Sequence, residues 1–267
     1  AQQRPIGPIL SVRAFIAAAL LTLAAAAAAE SPRIAIIIDD LGYHHANGKR
    51  AIGLPGPVSY SFLPGAPRAR SLAEQAHARG RDVLLHLPLQ ATADEVTREP
   101  SEIHIDMGRE RLGRVLGHAL ESVPHVIGIN SHRGSLLTRH PGHMQWLMEE
   151  ISTYGSLFFI DSYTHHGSVA LQVAKETGVP AMRRHVFLDP DPSPETVARE
   201  FERMKRLARQ RGQIIAIGHP YPATLELLER ELPRLADEGI ELVPISDLVP
   251  MPGAGSERVE PVMHSAL

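Results

Sequence analysis

The stretch Arg33-Ile34-Ala35-Ile36-Ile37-Ile38-Asp39-Asp40-Leu41-Gly42 decides how the rest of the sequence is interpreted. Its apolar run is rich in β-branched residues, which is typical of a strand buried on both faces of a parallel sheet. Two carboxylates follow at once, at the strand end where α/β folds usually build active sites. Adjacent carboxylates repel unless a cation or a shared proton lies between them, so a metal site is the simplest way to keep both ionised. The alternative is that one acid caps a following helix.

The composition narrows the possible functions. The chain has 267 residues, is 43% hydrophobic and carries a net charge of −3, which suits one large α/β domain after an N-terminal segment. It has no basic patch of the kind that marks a nucleic-acid-binding protein. Aromatic residues make up only 4% of the chain, which argues against a broad sugar-stacking platform. Because the chain lacks cysteine, any metal has to be held by histidine, aspartate or glutamate.

The ends of the chain are predicted to lie outside the domain. Residues 1–29 have the pattern of a secretory signal peptide, with Arg4 and Arg13 before an Ala-rich run that ends in small residues. An uncleaved N-terminal anchor, which would be the link to a membrane, is the alternative. The sequence thus predicts an exported protein, periplasmic or extracellular, with a domain over residues 30–250 and a disordered tail over residues 251–267.

Polar residues also follow other apolar runs. Strands are predicted at 58–63, 82–89, 126–130, 157–160 and 214–219, separated by helical segments, and this spacing indicates βαβ units and a parallel sheet. His86, His132, Asp161 and His219 lie at or just past these strand ends. In a barrel of parallel strands such ends converge on one face.

Three of the strand-end residues are candidate metal ligands. Asp40, His86 and His132 are predicted to form an open site for a divalent metal, and imidazole ligands favour zinc. Each histidine taken alone is more often structural or solvated. Their shared position at strand ends is what favours a role as ligands.

Four other residues are assigned to the surroundings of the metal. His219 is predicted to be an acid/base group, with a histidine bonded to loop backbone as the alternative. Asp161 is predicted to point into the site, either as a hydrogen-bond partner of a ligand histidine or as a substrate-binding group. Asp189 is a weaker candidate of the same kind. Arg133 is a candidate for placing positive charge near a developing oxyanion.

Six motifs in a fixed order carry a resemblance to a known family. They are Ile38-Asp39-Asp40-Leu41-Gly42, His86-Leu87-Pro88-Leu89, Gly128-Ile129-Asn130-Ser131-His132-Arg133-Gly134-Ser135, Phe159-Ile160-Asp161-Ser162, Val186-Phe187-Leu188-Asp189 and Ala216-Ile217-Gly218-His219-Pro220. Together they resemble the divergent polysaccharide deacetylase family of bacterial envelope proteins, from about Arg33 to Leu248. The resemblance implies a distorted (β/α) barrel of mostly parallel strands. It also implies a relationship to metal-dependent carbohydrate esterases that remove N- or O-acetyl groups.

The resemblance further implies roles for matching residues. Asp39 corresponds to the base and Asp40 to a metal ligand. His86 corresponds to the first metal histidine, and His219 corresponds to the general acid.

The sequence departs from the family pattern in several places. The second metal histidine would fall at Gln90, and we infer that His132 replaces it. Ser131 and Arg133 stand where the family more often has Asn and Met, and Tyr163 stands where it often has Arg. These changes leave the metal ligands intact but leave the substrate open.

Two functions follow from this sequence. The first is a secreted, metal-dependent hydrolase, with zinc as the expected ion, that removes acetyl groups from a glycan or cell-wall fragment. The second is a non-catalytic envelope protein that uses the same cleft to bind glycan or a partner. Gln90 favours the second function, whereas the acid pair and the strand-end histidines favour the first.

Overall fold

The computed structural model describes residues 31–92 and 101–251. The predicted signal peptide, and all but the first residue of the predicted tail, lie outside the described residues. Among the residues described, each helix is too short or too polar to cross a lipid bilayer.

Within this part of the chain, strands and helices largely alternate. The strands are β1 (Arg33–Leu41), β2 (Ser59–Phe62), β3 (Val83–Leu89), β4 (Val126–Arg133), β5 (Phe158–Asp161), β6 (Ala181–Arg183), β7 (Val186–Phe187), β8 (Gln213–Gly218) and β9 (Glu241–Leu242). The α-helices are α1 (His45–Ile52), α2 (Ala69–His77), α3 (Arg109–Ser122), α4 (Pro141–Ser152), α5 (Ala170–Thr177), α6 (Pro194–Arg211) and α7 (Pro222–Glu231). Short 3-10 helices cover Leu137–Arg139, Leu232–Arg234 and Ile245–Asp247.

The strands form one parallel sheet, as the sequence predicted. Its order is β6-β5-β4-β3-β2-β1-β8-β7, with β9 paired to the start of β1. Every strand pair is parallel. From β1 to β6 the spatial order follows the chain order, which is how successive βα units wind into a barrel.

The sheet curls because its two edges are joined by a very short connection. Strands β6 and β7 lie at opposite edges, yet only Arg184 and His185 separate them in the chain. The Cα atoms of Arg183 and Val186 are therefore at most about 11 Å apart, since an extended chain spans at most about 3.6 Å per residue. The sheet is thus a barrel with an open seam between β6 and β7, and the predicted distorted (β/α) barrel is confirmed.

Strand β1 is apolar on both faces, and the described residues form two hydrophobic cores. On β1, Ile34, Ile36 and Ile38 pack in the larger core, which includes the helices. Ala35 and Ile37 pack in the smaller core, which consists of strand residues and the segment 243–249 inside the barrel. All five side chains are fully buried, and burying an isoleucine contributes roughly 1.5–3 kcal/mol.

The interior of the barrel depends on a glycine in β4. A Cβ on Gly128 would lie 2.2 Å from the ring of Phe158, a buried residue of the interior core. The missing side chain therefore makes room for that ring on the floor of the barrel.

We expect Gly128→Ala to destabilise the protein by about 1–3 kcal/mol, the usual effect of overpacking a core. The matched control is Gly142→Ala in α4, where the nearest atom would be 3.7 Å from the added Cβ and alanine favours the helix. Urea denaturation of the two variants measures the difference. Equal midpoints for Gly128→Ala and wild type would contradict the close packing of Phe158.

Candidate functional site

A β-bulge at the end of β1 turns two adjacent carboxylates toward the same place. Neighbouring residues of a regular strand point to opposite faces, but the register of β1 on β2 shifts between Ile38 and Leu41. Asp40 has a φ of +57°, a left-handed conformation that aspartate adopts more readily than most residues. As a result, Oδ2 of Asp39 and Oδ1 of Asp40 lie 3.6 Å and 3.1 Å from Nε2 of His86.

The acid pair does not cap a helix. Helix α1 begins at His45, its N-cap is His44, and no side chain caps it. Gly42, with a φ of +128°, makes the turn after the acids, and a Cβ there would lie 2.6 Å from that of Ala66. The glycine is required by the close approach of the loop that leads into α2.

Three atoms from three strands form a triangle at the mouth of the barrel. Oδ1 of Asp40 lies 3.1 Å from Nε2 of His86 and 3.0 Å from Nδ1 of His132, and the two nitrogens lie 3.0 Å apart. This Oδ1 is buried and has no hydrogen-bond partner in the described chain. The structure thus brings together the three residues that the sequence proposed as metal ligands.

Asn130 determines which nitrogen of His86 faces the triangle. The amide Nδ2 of Asn130 donates to Oδ1 of Asp39 at 2.8 Å, so its Oδ1 is an acceptor. That oxygen accepts from Ser61 and lies 2.9 Å from Nδ1 of His86. The proton of a neutral His86 is therefore on Nδ1, and the lone pair on Nε2 points to the carboxylate of Asp40.

The lone pair on Nε2 of His86 faces Oδ1 of Asp40 at 3.1 Å, and the two electron-rich atoms repel each other. A cation between or beside them would remove this repulsion. Burial alone would raise the pKa of Asp40, but His132 and His86 hold that pKa far below its usual range. Two imidazole nitrogens and one carboxylate oxygen are a typical donor set for zinc, with bonds of about 2.0–2.2 Å. The residues present therefore fit a divalent metal ion and leave coordination positions open.

Asp39 lies beside the triangle but has a different environment. It is buried, with 2% of its surface exposed, and its Oδ1 is occupied by Asn130. Burial raises the pKa of Asp39 by more than His86, His219 and the Asn130 amide lower it. Oδ2 is the oxygen left to accept a proton, which is consistent with the predicted role of base.

His219 is oriented by a buried carboxylate. Its Nδ1 lies 2.9 Å from Oδ1 of Asp189, and Oδ2 of Asp189 accepts from the His219 backbone N–H and from Thr224. Nε2 faces the site, 3.7 Å from Oδ2 of Asp40. Burial alone would lower the pKa of His219, but Asp189, Asp40 and Asp39 together hold it above its usual value. Asp189, only a weak candidate from the sequence, is thus the partner of the predicted acid.

Gln90 lies at the position where the family pattern would place a metal histidine, but it is engaged elsewhere. Its side-chain oxygen accepts a hydrogen bond of 2.9 Å from the backbone N–H of Ile105. It is not part of the cluster of potential ligands, whereas His132 is.

The prediction that Asp161 is a partner of a ligand histidine is wrong. Its Oδ1 accepts from the Tyr163 N–H, and its Oδ2 accepts from Ser168 and contacts Arg183 at 3.3 Å. The reason is strand alternation: Asp161 lies two residues after Phe159, which packs in the helix-facing core. Asp161 thus shapes the loop after β5.

Sequence reasoning missed Ser61 and Asn130, which hold the acid pair and His86 in place. Both alternate with residues of the helix-facing core, Tyr60 and Phe62 on β2 and Ile129 on β4. Their side chains therefore project into the barrel. The signal for Ser61 was the alternation of serine with aromatic residues in β2, and the signal for Asn130 was a polar residue that directly follows the apolar part of β4.

Two cavities meet at the site. The inner cavity has a volume of about 230 Å³, and its walls include Asp39, Ser162, Arg184 and Phe187. The outer groove has a volume of about 570 Å³, and its walls include Asp40, Tyr43, His44 and Tyr221. Both cavities are lined by His132, Arg133 and His219. Arg133 therefore stands at the entrance to both, and its role with substrate stays a prediction.

The fold and the sequence both have known relatives. The chain is 36% identical over 237 residues to the uncharacterised protein YibQ of Escherichia coli, covering 87% of this chain and 73% of that protein. A crystal structure of an uncharacterised protein from Agrobacterium tumefaciens has a TM-score of 0.79 at 21% identity, over 83% of this chain and 91% of that one.

The catalytic domain of a peptidoglycan N-acetylglucosamine deacetylase from Eubacterium rectale has a similar fold. It has a TM-score of 0.52 at 12% identity, over 83% of this chain and 91% of that domain. The sequence model of divergent polysaccharide deacetylases matches residues 36–249, a range that includes the acid pair, His86, His132 and His219. The chain therefore belongs to the divergent polysaccharide deacetylase family.

Proposed function

We propose that this protein is a metal-dependent hydrolase that removes acetyl groups from a glycan. The observation that carries the proposal is the triangle of Asp40, His86 and His132, which has the buried Asp39 on one side and His219, held by Asp189, on the other. The family supports an acetylated sugar as substrate. Tyr43 and Tyr221, which are 51% and 40% exposed, line the outer groove and offer aromatic faces to a sugar ring.

Asp40, His86 and His132 would hold the ion, and zinc suits the two imidazole ligands. When bound, a divalent ion acts as a Lewis acid that polarises a carbonyl and lowers the pKa of water. Asn130 supports this site from outside, because its Oδ1 accepts from Nδ1 of a neutral His86 and so favours the tautomer whose lone pair is on Nε2.

The proton transfers fall to two residues. Oδ2 of Asp39 accepts a proton from the water whose oxygen adds to the acetyl carbon. Nε2 of His219, with its other nitrogen held by Asp189, donates a proton to the departing nitrogen as the C–N bond breaks. The products are acetate and a free amine. These roles require an ionised Asp39 and a protonated His219. Burial raises the pKa of Asp39, and Asp189, Asp40 and Asp39 raise the pKa of His219 against the opposite effect of burial.

The ligand assignment can be tested by zinc binding. Asp40→Asn keeps a residue that tolerates positive φ and removes the charge, while His86→Ala and His132→Ala each remove one ligand. We expect each change to weaken zinc binding by more than the roughly 10–100-fold that loss of an outer hydrogen-bond partner causes. Competition with a chelating dye measures the affinity.

Gln90→Ala is the matched control, because its side chain bonds to the backbone of Ile105. It should bind zinc as wild type does. Full zinc binding by His132→Ala, or its loss in Gln90→Ala, would show that the ligand assignment is wrong.

The roles of base and acid can be separated from metal binding. Asp39→Asn keeps the oxygen that accepts from Asn130 but removes the basicity, so it should bind zinc and lose about 10²–10⁴-fold in turnover. His219→Ala should lose a similar factor on an N-acetyl sugar and less on an activated aryl acetate, whose leaving group needs no proton. Acetate release from acetylated chitooligosaccharides and peptidoglycan fragments measures turnover.

The control for these variants is His118→Ala, an exposed histidine of α3, which should leave turnover unchanged. If the zinc-loaded wild type releases no acetate from any acetylated glycan, the hydrolase proposal fails. Binding of glycan with equal affinity by wild type, Asp39→Asn and His219→Ala would then favour the non-catalytic function.

We also infer that the protein acts outside the cytoplasm, because residues 1–29 have the pattern of a secretory signal peptide. Mass spectrometry of protein from the envelope fraction should find a mature chain that begins near Glu30. An intact Ala-rich segment on that protein would favour a membrane anchor instead.

A further inference from the structure

Arg184 is a fixed cation in the wall of the inner cavity. Its Nε donates to the carbonyl of Ser162 at 2.6 Å and its Nη2 to that of Tyr163 at 3.2 Å. The guanidinium carbon lies 4.7 Å from the centre of the Phe187 ring. These contacts leave Nη1 and part of Nη2 uncommitted within the described residues. The guanidinium is therefore held in one orientation and still has N–H groups that can donate to a ligand.

No carboxylate lies within ion-pair distance of Arg184 in the described part of the chain. Asp39, Asp161 and Asp189 are close enough to influence its charge. Each of them, however, is already bonded to another group: Asp39 to Asn130, Asp161 to Arg183 and Asp189 to His219. A half-buried guanidinium without its own counter-ion is a position that favours an anionic ligand.

Ser162 adds a second polar group to the same wall. Its side chain is 95% buried, with 5% exposed, and its Oγ has no hydrogen-bond partner among the described residues. The backbone of Ser162 is fixed, since its N–H donates to Oγ of Ser131 and its carbonyl accepts from Arg184. A buried hydroxyl that makes no bond inside the protein is available to a ligand.

The inner cavity is larger and more polar than an acetyl group requires. Its volume of about 230 Å³ compares with about 60 Å³ for an acetyl group, taken as twice the roughly 30 Å³ that a water molecule occupies. The cavity shares His219 and Asp39 with the reaction centre. A group bound by Arg184 would therefore lie on the same molecule as the reacting bond.

We propose that Arg184 and Ser162 form a subsite for a carboxylate carried by the substrate, next to its acylated nitrogen. A guanidinium and a hydroxyl match a carboxylate because the fork of N–H donors binds both oxygens. The proposal rests on the proposed function in taking a glycan as the ligand. The carboxylate belongs either to the sugar itself or to the acyl group on its nitrogen, and the two sources need separate probes.

The experiment compares each acid with its own methyl ester, which keeps the shape and removes the charge. The first pair is a disaccharide that contains N-acetylmuramic acid, with its carboxylate on the sugar, and the methyl ester. The second pair is N-succinyl chitobiose, with its carboxylate on the acyl group, and the methyl ester. Calorimetry with zinc-loaded wild type should show the acid of one pair binding roughly 10-fold or more tightly than its ester, the usual effect of hydrogen bonds to a charged group.

Three variants connect this preference to the proposed residues. Arg184→Gln should bind acid and ester equally, with affinity for the ester unchanged. Ser162→Ala removes a hydroxyl that makes no hydrogen bond within the described residues, and it should reduce the preference for the acid several-fold. Arg206→Gln, at an exposed arginine of α6, should keep the full preference.

Two results would overturn the subsite. One is equal binding of acid and ester by wild type in both pairs. The other is loss of binding to both acid and ester in Arg184→Gln while Ser162→Ala keeps the full preference, which would mean that Arg184 only supports the loop after β5. The subsite and the hydrolase can also fail separately. A preference for the acid without acetate release would contradict only the hydrolase proposal. Acetate release without that preference would contradict only the subsite proposal.

Discussion

Two adjacent residues of a β-strand point to opposite faces of the sheet, and the bulge in β1 overrides this rule at Asp39 and Asp40. Without the register shift after Ile38, one carboxylate would project into the helix-facing core, where an unpaired charge is very unfavourable. Asp40 reaches the site by adopting a positive φ. Arg133 and Tyr163 also have positive φ values, of 56° and 52°, so strained backbone gathers at the strand ends around the same cleft. Such strain persists when surrounding contacts enforce it, and here the barrel provides them.

The bulge places two acids together, and hydrogen bonding gives them different roles. Asn130 donates to Asp39 and accepts from His86, so one amide side chain connects the candidate base to a candidate ligand. Asp40 lacks such a donor and faces two imidazoles instead. On the far side of the cleft, Asp189 orients His219 in the same manner. The environment of each group, more than its residue type, thus distinguishes the candidate ligand, the candidate base and the candidate acid.

Much of this arrangement could be predicted from the sequence, because parallel strands end in a common plane. Strand ends were predicted within one to three residues for most strands, and Asp40, His86 and His132 were correctly placed together. What could not be predicted was the direction of each side chain. Strands buried on both faces show no alternation of polar and apolar residues. The sequence of β5 therefore does not reveal that the Asp161 side chain lies on the helix-facing side of the sheet. Asn130 was missed for the same reason, whereas the alternation of serine with aromatic residues in β2 was a usable signal for Ser61. A continuous apolar run also gives no sign of a bulge, although the two adjacent acids indicated an irregular strand end after Ile38.

The open seam of the barrel also affects how copies of this protein behave toward one another. A sheet with two free edges exposes unpaired backbone groups that can recruit strands from other molecules. In this protein the two edges face each other across a connection of two residues, and that connection continues the pairing of each edge strand with its neighbour. The Arg184 N–H donates to the carbonyl of Asp161, and the His185 N–H donates to that of Ile215. Each edge strand is also only two or three residues long, and short edges offer little for a foreign strand to pair with. The barrel therefore limits edge-to-edge aggregation without closing its hydrogen-bond ladder.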